Sequence, residues 1–246
     1  MKKVILEISE NIHLTKNVKK LTLKGDVSGI TIPGQFINIK LKGFYLRRPL
    51  SVFDKDDESV SVIYKIVGKG TEFLSEQKNG KLDVLTGLGN GYDLFAAGDN
   101  PLLIGGGAGV PPMYWLAKVL SGKAEKITAI LGFNKKEEVF CEEDFKNLGI
   151  DTVITTADGS YGTKGFVTDA MKNVKYSYFY SCGPEAMLKA VYNASKTDGE
   201  FSFEERMGCG FGACMGCSCK TVSKSKRICV DGPVLKKEEI LWRTFV

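Results

Sequence analysis

Up to about Phe95 the chain is rich in short alternating or β-branched runs: ILEISENI at 5–12, KKLTLKGD at 19–26, QFINIKL at 35–41 and SVSVIYKIV at 59–67. A period of two turns one face of each run toward a core and the other toward water, so each reads as a β-strand. Gly, Pro and Asp separate the runs. Short strands punctuated in this way predict an antiparallel barrel or sandwich over residues 1–97.

The pattern changes after Asn100. PLLIGGG (101–107), KITAILGF (126–133), DTVITTAD (151–158) and YSYFYSCG (176–183) are apolar runs of strand length. Between and after them, VPPMYWLAKVL (110–120), KEEVFCEEDFKNL (136–148), GFVTDAMKNV (165–174) and PEAMLKAVYNASK (184–196) carry helical spacing. FSFEE (201–205) can supply a last strand. Alternating strands and helices predict an α/β domain over 98–203, built on an open parallel sheet with the helices as crossovers. From about Arg206 the chain turns rich in Gly and Cys and poor in apolar periodicity. The segment 204–246 therefore needs something other than a core of its own to order it. The whole is an α+β, multidomain chain with no internal repeat and no low-complexity linker.

Composition narrows the class. Forty-three per cent of the 246 residues are hydrophobic, enough for a substantial core. The net charge of +5 comes from 34 basic against 29 acidic residues spread without a basic block, which argues against a nucleic-acid surface. Glu7 and Glu10 interrupt the apolar residues of the N-terminus before a signal-peptide core can form. No run approaches the roughly 20 apolar residues of a membrane span, and the expectation is a cytoplasmic protein. There are seven cysteines, an odd number, and five fall between Cys209 and Cys229. That clustering fits a metal centre better than a disulfide framework.

Cys209, Cys214, Cys217 and Cys229 follow C-x4-C-x2-C with a more distant fourth cysteine, the plant-type ferredoxin spacing of a [2Fe–2S] cluster. Four thiolates must converge on two irons. Gly208, Gly210, Gly212 and Gly216 allow the backbone to wrap tightly and bring amides near the sulfurs. A structural zinc site also takes four cysteines, but zinc modules usually show two separated C-x2-4-C knuckles, and only one is present. Cys219 breaks the spacing and reads as a bystander or packing residue.

Gly105, Gly106, Gly107 and Gly109 lie between a predicted strand and a helix that opens on Val110-Pro111-Pro112. Such a turn brings backbone N–H groups to a pyrophosphate at a helix N-terminus, although a ligand-free tight turn has the same look. Cys182, Gly183 and Pro184 follow a later strand on the same edge of the sheet, where open α/β sheets bind ligands. Together these segments form a candidate dinucleotide site. In the predicted barrel, Arg48 and Ser51 lie three residues apart, with Gly70 and Thr71 nearby. They can serve a phosphate-bearing cofactor or form a salt-bridged strand end with a turn.

These elements, in this order, resemble the ferredoxin reductase superfamily. Within it the chain is similar to the electron-transfer subunits of class 1B, NAD-dependent dihydroorotate dehydrogenases, through RRPLSVFD, YKIVGKGTEFLS, LTGLGNGYDL, IGGGAGVPPMYWLAK, TTADGSYGTKGFVTD, CGPEAML and MGCGFGACMGCSCK followed by RICVDGPVL. The resemblance spans nearly the whole chain, and the cysteine tail is its most specific part. It implies an oxidoreductase subunit using FAD, a [2Fe–2S] cluster and NAD(H), with no catalytic residue of its own for dihydroorotate. Arg48, Pro49, Leu50, Ser51, Lys65, Ile66, Val67, Gly70 and Thr71 are the implied FAD contacts, and Cys209, Cys214, Cys217 and Cys229 the implied cluster ligands. It implies an FMN-containing catalytic partner in a heterotetramer of two plus two, and a place in pyrimidine biosynthesis. Phe211 and Met215 are candidates for the docking patch, or for shielding the cluster. Lys135 and Lys136 offer charge for a nucleotide 2′-phosphate, or a solvated basic face.

Two other readings compete: a reductase subunit of another redox complex serving a ferredoxin, a hydrogenase or a sulfide-linked system, and a non-catalytic redox-sensing or metal-stabilised module. Protein purified without oxygen should contain iron and acid-labile sulfide, with visible absorption beyond that of flavin. Stoichiometric zinc without sulfide would remove the cluster from consideration.

Overall fold

The computed structural model describes residues 1–242, so positions 243–246 of the predicted C-terminal segment lie outside the described residues. The N-terminal strands are β1 (Lys2–Thr15), β2 (Val18–Lys24), β3 (Phe36–Lys40), β4 (Arg48–Lys55), β5 (Ser59–Lys65) and β6 (Lys81–Leu88). They close into a barrel in the order β1-β2-β5-β4-β3-β6, antiparallel throughout. Closure resolves the choice between barrel and sandwich. The alternation explains the interior: Leu6, Ile8, Leu21, Leu23, Ile37, Ile39, Val60 and Val62 are buried together. Helix α1 (Lys69–Glu76) crosses between β5 and β6, where the sequence pattern had suggested only a turn.

Strands β7 (Pro101–Gly106), β8 (Thr128–Phe133), β9 (Asp151–Thr156), β10 (Thr163–Lys164), β11 (Tyr178–Cys182) and β12 (Gly199–Ser202) form a parallel sheet. Helices α2 (Pro111–Leu120), α3 (Glu142–Asn147), α4 (Val167–Met171) and α5 (Glu185–Ala194) connect these strands. The helix expected over 136–148 is shorter than its pattern. A 3-10 turn at Lys136–Glu138 is followed by extended Val139, and Cys141 adopts φ 65 before α3 begins. Burial of Phe140 against Phe133, with ring centroids 5.3 Å apart, holds the chain down at the break.

The sheet order is β10-β9-β8-β7-β11-β12-β15, where β15 is Val234–Lys236, paired antiparallel with β12. The C-terminal segment is thus ordered partly by the neighbouring sheet. Ile228, Val234, Leu235 and Ile240 are buried, three of them beside Phe179 and Phe201. A hairpin of β13 (Ser218–Lys220) and β14 (Ser225–Arg227) carries the rest.

Helix α2 joins the two large units. Its Trp115 packs into the barrel core while Met113 and Leu116 face the sheet, Tyr114 stacks on Phe53 at 4.4 Å, and Lys118 pairs with Asp54 at 2.9 Å. No helix among the described residues is long and apolar enough to cross a membrane.

Glu200 of β12 is buried, accepting a hydrogen bond from the Asp93 N–H at 2.9 Å, and Lys236 lies 4.0 Å from the Asp93 carboxylate. Burial pushes the Glu200 carboxyl up from an ordinary value near 4.5 to about 7. The folded chain therefore holds this proton after the unfolded chain has released it. Stability should fall as pH rises from about 4.5 to 7 and level off above that window. Glu200→Gln should flatten this slope in urea unfolding measured across that range; an unchanged slope would contradict the assignment.

Candidate functional site

Two adjacent arginines at the start of β4 have different surroundings. Arg47 donates to the Asp83 carboxylate at 2.7 Å and to the carbonyls of Asp83 and Asn38 at 3.0 and 3.2 Å, which commits it to holding strands together. Arg48 instead lies over the Phe44 ring and donates to the Leu46 carbonyl at 2.6 Å. Its guanidinium occupies the space left by the missing side chain of Gly70, where a Cβ would stand 2.2 Å from Nε. Thr71 closes the first turn of α1: its hydroxyl accepts the N–H groups of Val67 and Gly68 and donates to the Gly68 carbonyl. A guanidinium beside a helix N-terminus is a cradle for an anionic group such as a pyrophosphate.

This cradle opens into a cavity of about 350 Å³. Arg48, Pro49, Leu50, Ser51, Lys65, Val67 and Thr71 line it, all expected from the sequence. Gly70 stands behind Arg48, and the Ile66 N–H is bonded to the Asn17 carbonyl at 2.8 Å. Tyr64, Phe203, Glu204 and Met207 also line the cavity and were missed. The FSFEE run was the available signal, since a strand that ends at Ser202 must deliver the next residues to the sheet edge. Glu204 is reachable by solvent but has protein on most sides, and that desolvation pushes its carboxyl above the ordinary range.

The second site is set by topology. Reading from β7, the chain adds β8 and β9 on one side of the sheet and β11 and β12 on the other. The crevice at such a switch point is where open α/β sheets take ligands. Both predicted segments meet there: a Cβ on Gly109 would lie 2.2 Å from the Cys182 carbonyl oxygen, and one on Gly106 would lie 2.3 Å from Met187 Sδ. A Cβ on Gly105 would lie 2.7 Å from Val110 Cα. Gly107 turns with φ +51 and has open space at its Cβ position, as a backbone that approaches a ligand requires. Pro111 begins α2 without needing an N–H. Pro184 immediately precedes α5. Cys182 is buried, which pushes its thiol up, and it is the Cys182 carbonyl that meets Gly109 of the turn.

A cavity of about 190 Å³ adjoins the turn, lined by Gly107, Ala108, Lys135 and Glu138 among others. Ile63, Tyr64, Lys65 and Ala108 line both cavities, so the barrel and nucleotide sites share a wall. Lys136 lies over the Tyr161 ring and Lys135 is 4.0 Å from Glu137.

At the cysteine loop, backbone N–H groups point at sulfur. Cys209 Sγ accepts from Phe211, Ala213 and Cys214 at 3.4, 3.2 and 3.4 Å, and Cys214 Sγ from Cys209 and Gly216 at 3.4 and 3.5 Å. The Cys229 N–H reaches Cys217 Sγ at 3.5 Å. Burial works against ionising Cys209, yet the N–H donors outweigh it and draw the thiol down to about 6. Cys229 is pushed up to about 12 by burial and by Cys217 beside it. Among the described residues no three His, Cys, Asp or Glu side chains gather as ligands of one ion. The sulfurs stand in two pairs, Cys209 with Cys214 and Cys217 with Cys229, an arrangement that suits two irons with two thiolates each. Arg227 ties the limbs of this loop, donating to the Gly212 carbonyl and to Asp231, both at 3.2 Å. Cys219 lines a separate cavity with Lys220, Ile228 and Trp242.

Residues 204–241 match the iron–sulfur cluster binding domain of dihydroorotate dehydrogenase B, and residues 103–193 an oxidoreductase NAD-binding domain. The electron transfer subunit of dihydroorotate dehydrogenase B (NAD(+)) from Fusobacterium nucleatum subsp. nucleatum is 44% identical over 250 residues, covering 95% of this chain and 96% of that one. The chain belongs to this family of electron transfer subunits. Its relative of the same name from Bacillus pumilus is 42% identical over 255 residues and covers 98% of each chain. Among solved structures, an NADH-dependent reduced ferredoxin-NADP oxidoreductase studied for flavin-based electron bifurcation superposes with a TM-score of 0.88 at 31% identity, covering 97% of this chain and 90% of that one.

If Arg48 is the anion-holding group, Gly70→Ala should displace it and weaken FAD binding. A charge-assisted hydrogen bond is worth roughly 1.5–3 kcal/mol, or about a ten- to hundredfold loss of affinity. FAD titration into the apoprotein, with flavin retained per chain after gel filtration, reads this directly. Unchanged affinity would remove Arg48 from the site.

Proposed function

We propose that this chain is the electron-transfer subunit of an NAD-dependent dihydroorotate dehydrogenase, relaying electrons between a catalytic partner and NAD(H). One observation carries the reading: the nucleotide cavity and the barrel cavity share Tyr64, Lys65 and Ala108, and Met207 on the barrel cavity's wall is two residues from Cys209. Two cavities that share a wall, with the cysteine loop starting two residues beyond it, in a chain matching its relatives over nearly its whole length, are what a relay requires. The proposed units are 1–97 for the flavin, 98–203 for the nucleotide and 204–246 for the cluster, with β15 crossing back to complete the nucleotide sheet.

In this reading Arg48 and the first turn of α1 hold the FAD pyrophosphate, while Pro49, Leu50, Ser51, Lys65, Ile66, Val67 and Thr71 shape the rest of the flavin site. Gly70 leaves room for Arg48. Gly105, Gly106, Gly107 and Gly109 let the nucleotide approach the backbone, and Cys182, Gly183 and Pro184 form the opposing wall. Cys209, Cys214, Cys217 and Cys229 hold the [2Fe–2S] cluster. Bound in these places, FAD and the cluster supply the conversion between two-electron hydride chemistry and one-electron transfer. The chain's own part is to bind, orient and shield. Tyr64, whose phenol donates to Asn11 at 3.0 Å and is pushed up to about 12 by burial, stays neutral and packs as a wall.

The partner in this reading is the FMN-containing catalytic subunit, in a two-plus-two assembly. Phe211 and Met215, both exposed beside the cysteine loop, are proposed to meet it. The likeness to the ferredoxin-NADP oxidoreductase supports a second reading, a reductase subunit of a different redox complex. Co-purification separates them: a partner that oxidises dihydroorotate supports the first, and any other oxidoreductase the second.

Cys214→Ser is expected to retain FAD and its reduction by NADH, to lose the electron paramagnetic resonance signal of the reduced cluster, and to abolish NADH-to-orotate turnover in the reconstituted complex. Turnover surviving that substitution would rule out the proposed route.

A further inference from the structure

Strand β3 reads Phe36, Ile37, Asn38, Ile39, and all four side chains are buried. An amide in such a strand costs free energy unless it is hydrogen-bonded. Asn38 makes one bond, from Nδ2 to the carbonyl oxygen of Cys209 at 3.2 Å, and that partner is 171 residues away in sequence. Its Oδ1 is buried without a partner among the described residues. The barrel itself therefore makes no use of this side chain. Across the contact, Gly210 has φ +79, and a Cβ there would stand 2.3 Å from Asn38 Nδ2. The loop can lie on the amide only because this residue is glycine.

The position of Asn38 joins two sites. It pairs with Pro49 across β3 and β4, and Pro49 lines the barrel cavity. Its own carbonyl accepts from Arg47, the residue before Arg48. On the other side, the peptide it holds opens the Cys209–Cys214 loop, whose N–H groups converge on Cys209 Sγ.

We propose that Asn38 is a positioning residue: by anchoring the Cys209 peptide to the barrel, it fixes the first cluster-ligand loop against the flavin site and sets the N–H donation to Cys209 sulfur. This rests on the cluster and flavin assignments of the proposed function. Donors to a ligating sulfur favour the more negative, reduced form of a cluster, so loosening them makes the midpoint potential more negative. A structural role in the barrel alone makes no such prediction.

The test is Asn38→Val in the full chain, purified without oxygen. Valine suits a buried strand and removes the carboxamide, the Nδ2 donor together with the unpartnered Oδ1. Iron, sulfide and FAD content should equal those of the unsubstituted protein. The cluster's midpoint potential should become more negative and the g-values of its reduced-state resonance should shift, while the flavin potential stays in place. Asn38→Leu provides a second, larger apolar replacement with the same expected shifts. Intact cluster and flavin with unchanged potential and spectrum would overturn the proposal. Loss of FAD together with the cluster in both variants would make Asn38 a residue of barrel stability and would equally overturn it. Absence of iron and sulfide from the unsubstituted protein would be a different failure, that of the functional reading.

Discussion

The close approach of two peptide segments organises the molecule. At the ends of β7 and β11, Gly109 lies against the Cys182–Gly183 peptide so tightly that no side chain fits between them. That contact sets where α2 begins, because Val110 and Pro111 follow directly. The direction of α2 in turn decides how the barrel sits, since Tyr114 stacks on Phe53 and Trp115 enters the barrel core. Interiors pack densely and transmit small displacements, so a methyl group at Gly109 would be felt beyond the nucleotide crevice, in the seam where the two cavities share a wall.

The cysteine loop follows a different logic. Its order comes from four directions: the β13–β14 hairpin, the Arg227 ties to Gly212 and Asp231, burial of Ile228 beside the sheet, and the Asn38 bond to the Cys209 carbonyl. Its N–H groups are aimed at sulfur by this framework. The asymmetry between Cys209, drawn down to about 6, and Cys229, pushed up to about 12, has a local cause. One sulfur is surrounded by donors near the surface, and the other is packed among apolar side chains.

Much of this was legible in the sequence where a single period or spacing carried the information. Alternation in β1 and β2 and the β-branched runs of β3 and β5 exposed the barrel strands, and the x4-x2 cysteine spacing marked the loop. The resemblance to a known family brought the flavin segment into focus, which the residues alone had left between two readings. What stayed hidden depends on distant partners. Nothing in RRPLS says which arginine faces the cavity; Asp83 decides that by pairing with Arg47. Helix α1 escaped notice because its start depends on the Thr71 hydroxyl, within a segment dense in Gly and Lys. The break at Cys141 follows from packing of Phe140 on Phe133, which a helical pattern in 136–148 does not reveal. The wall formed by Tyr64, Glu204 and Met207 exists only once the barrel and sheet meet.

The order of strands also bears on solubility. A closed barrel exposes no row of unpaired backbone groups, and the large sheet ends at one side in the two-residue β10 and at the other in the short antiparallel β15. Long bare margins are templates for self-association, and brief ones give an incoming strand little to zip onto. The last strand, recruited from beyond the cysteine loop, thus acts as a selvedge that keeps copies of the chain from fraying into one another.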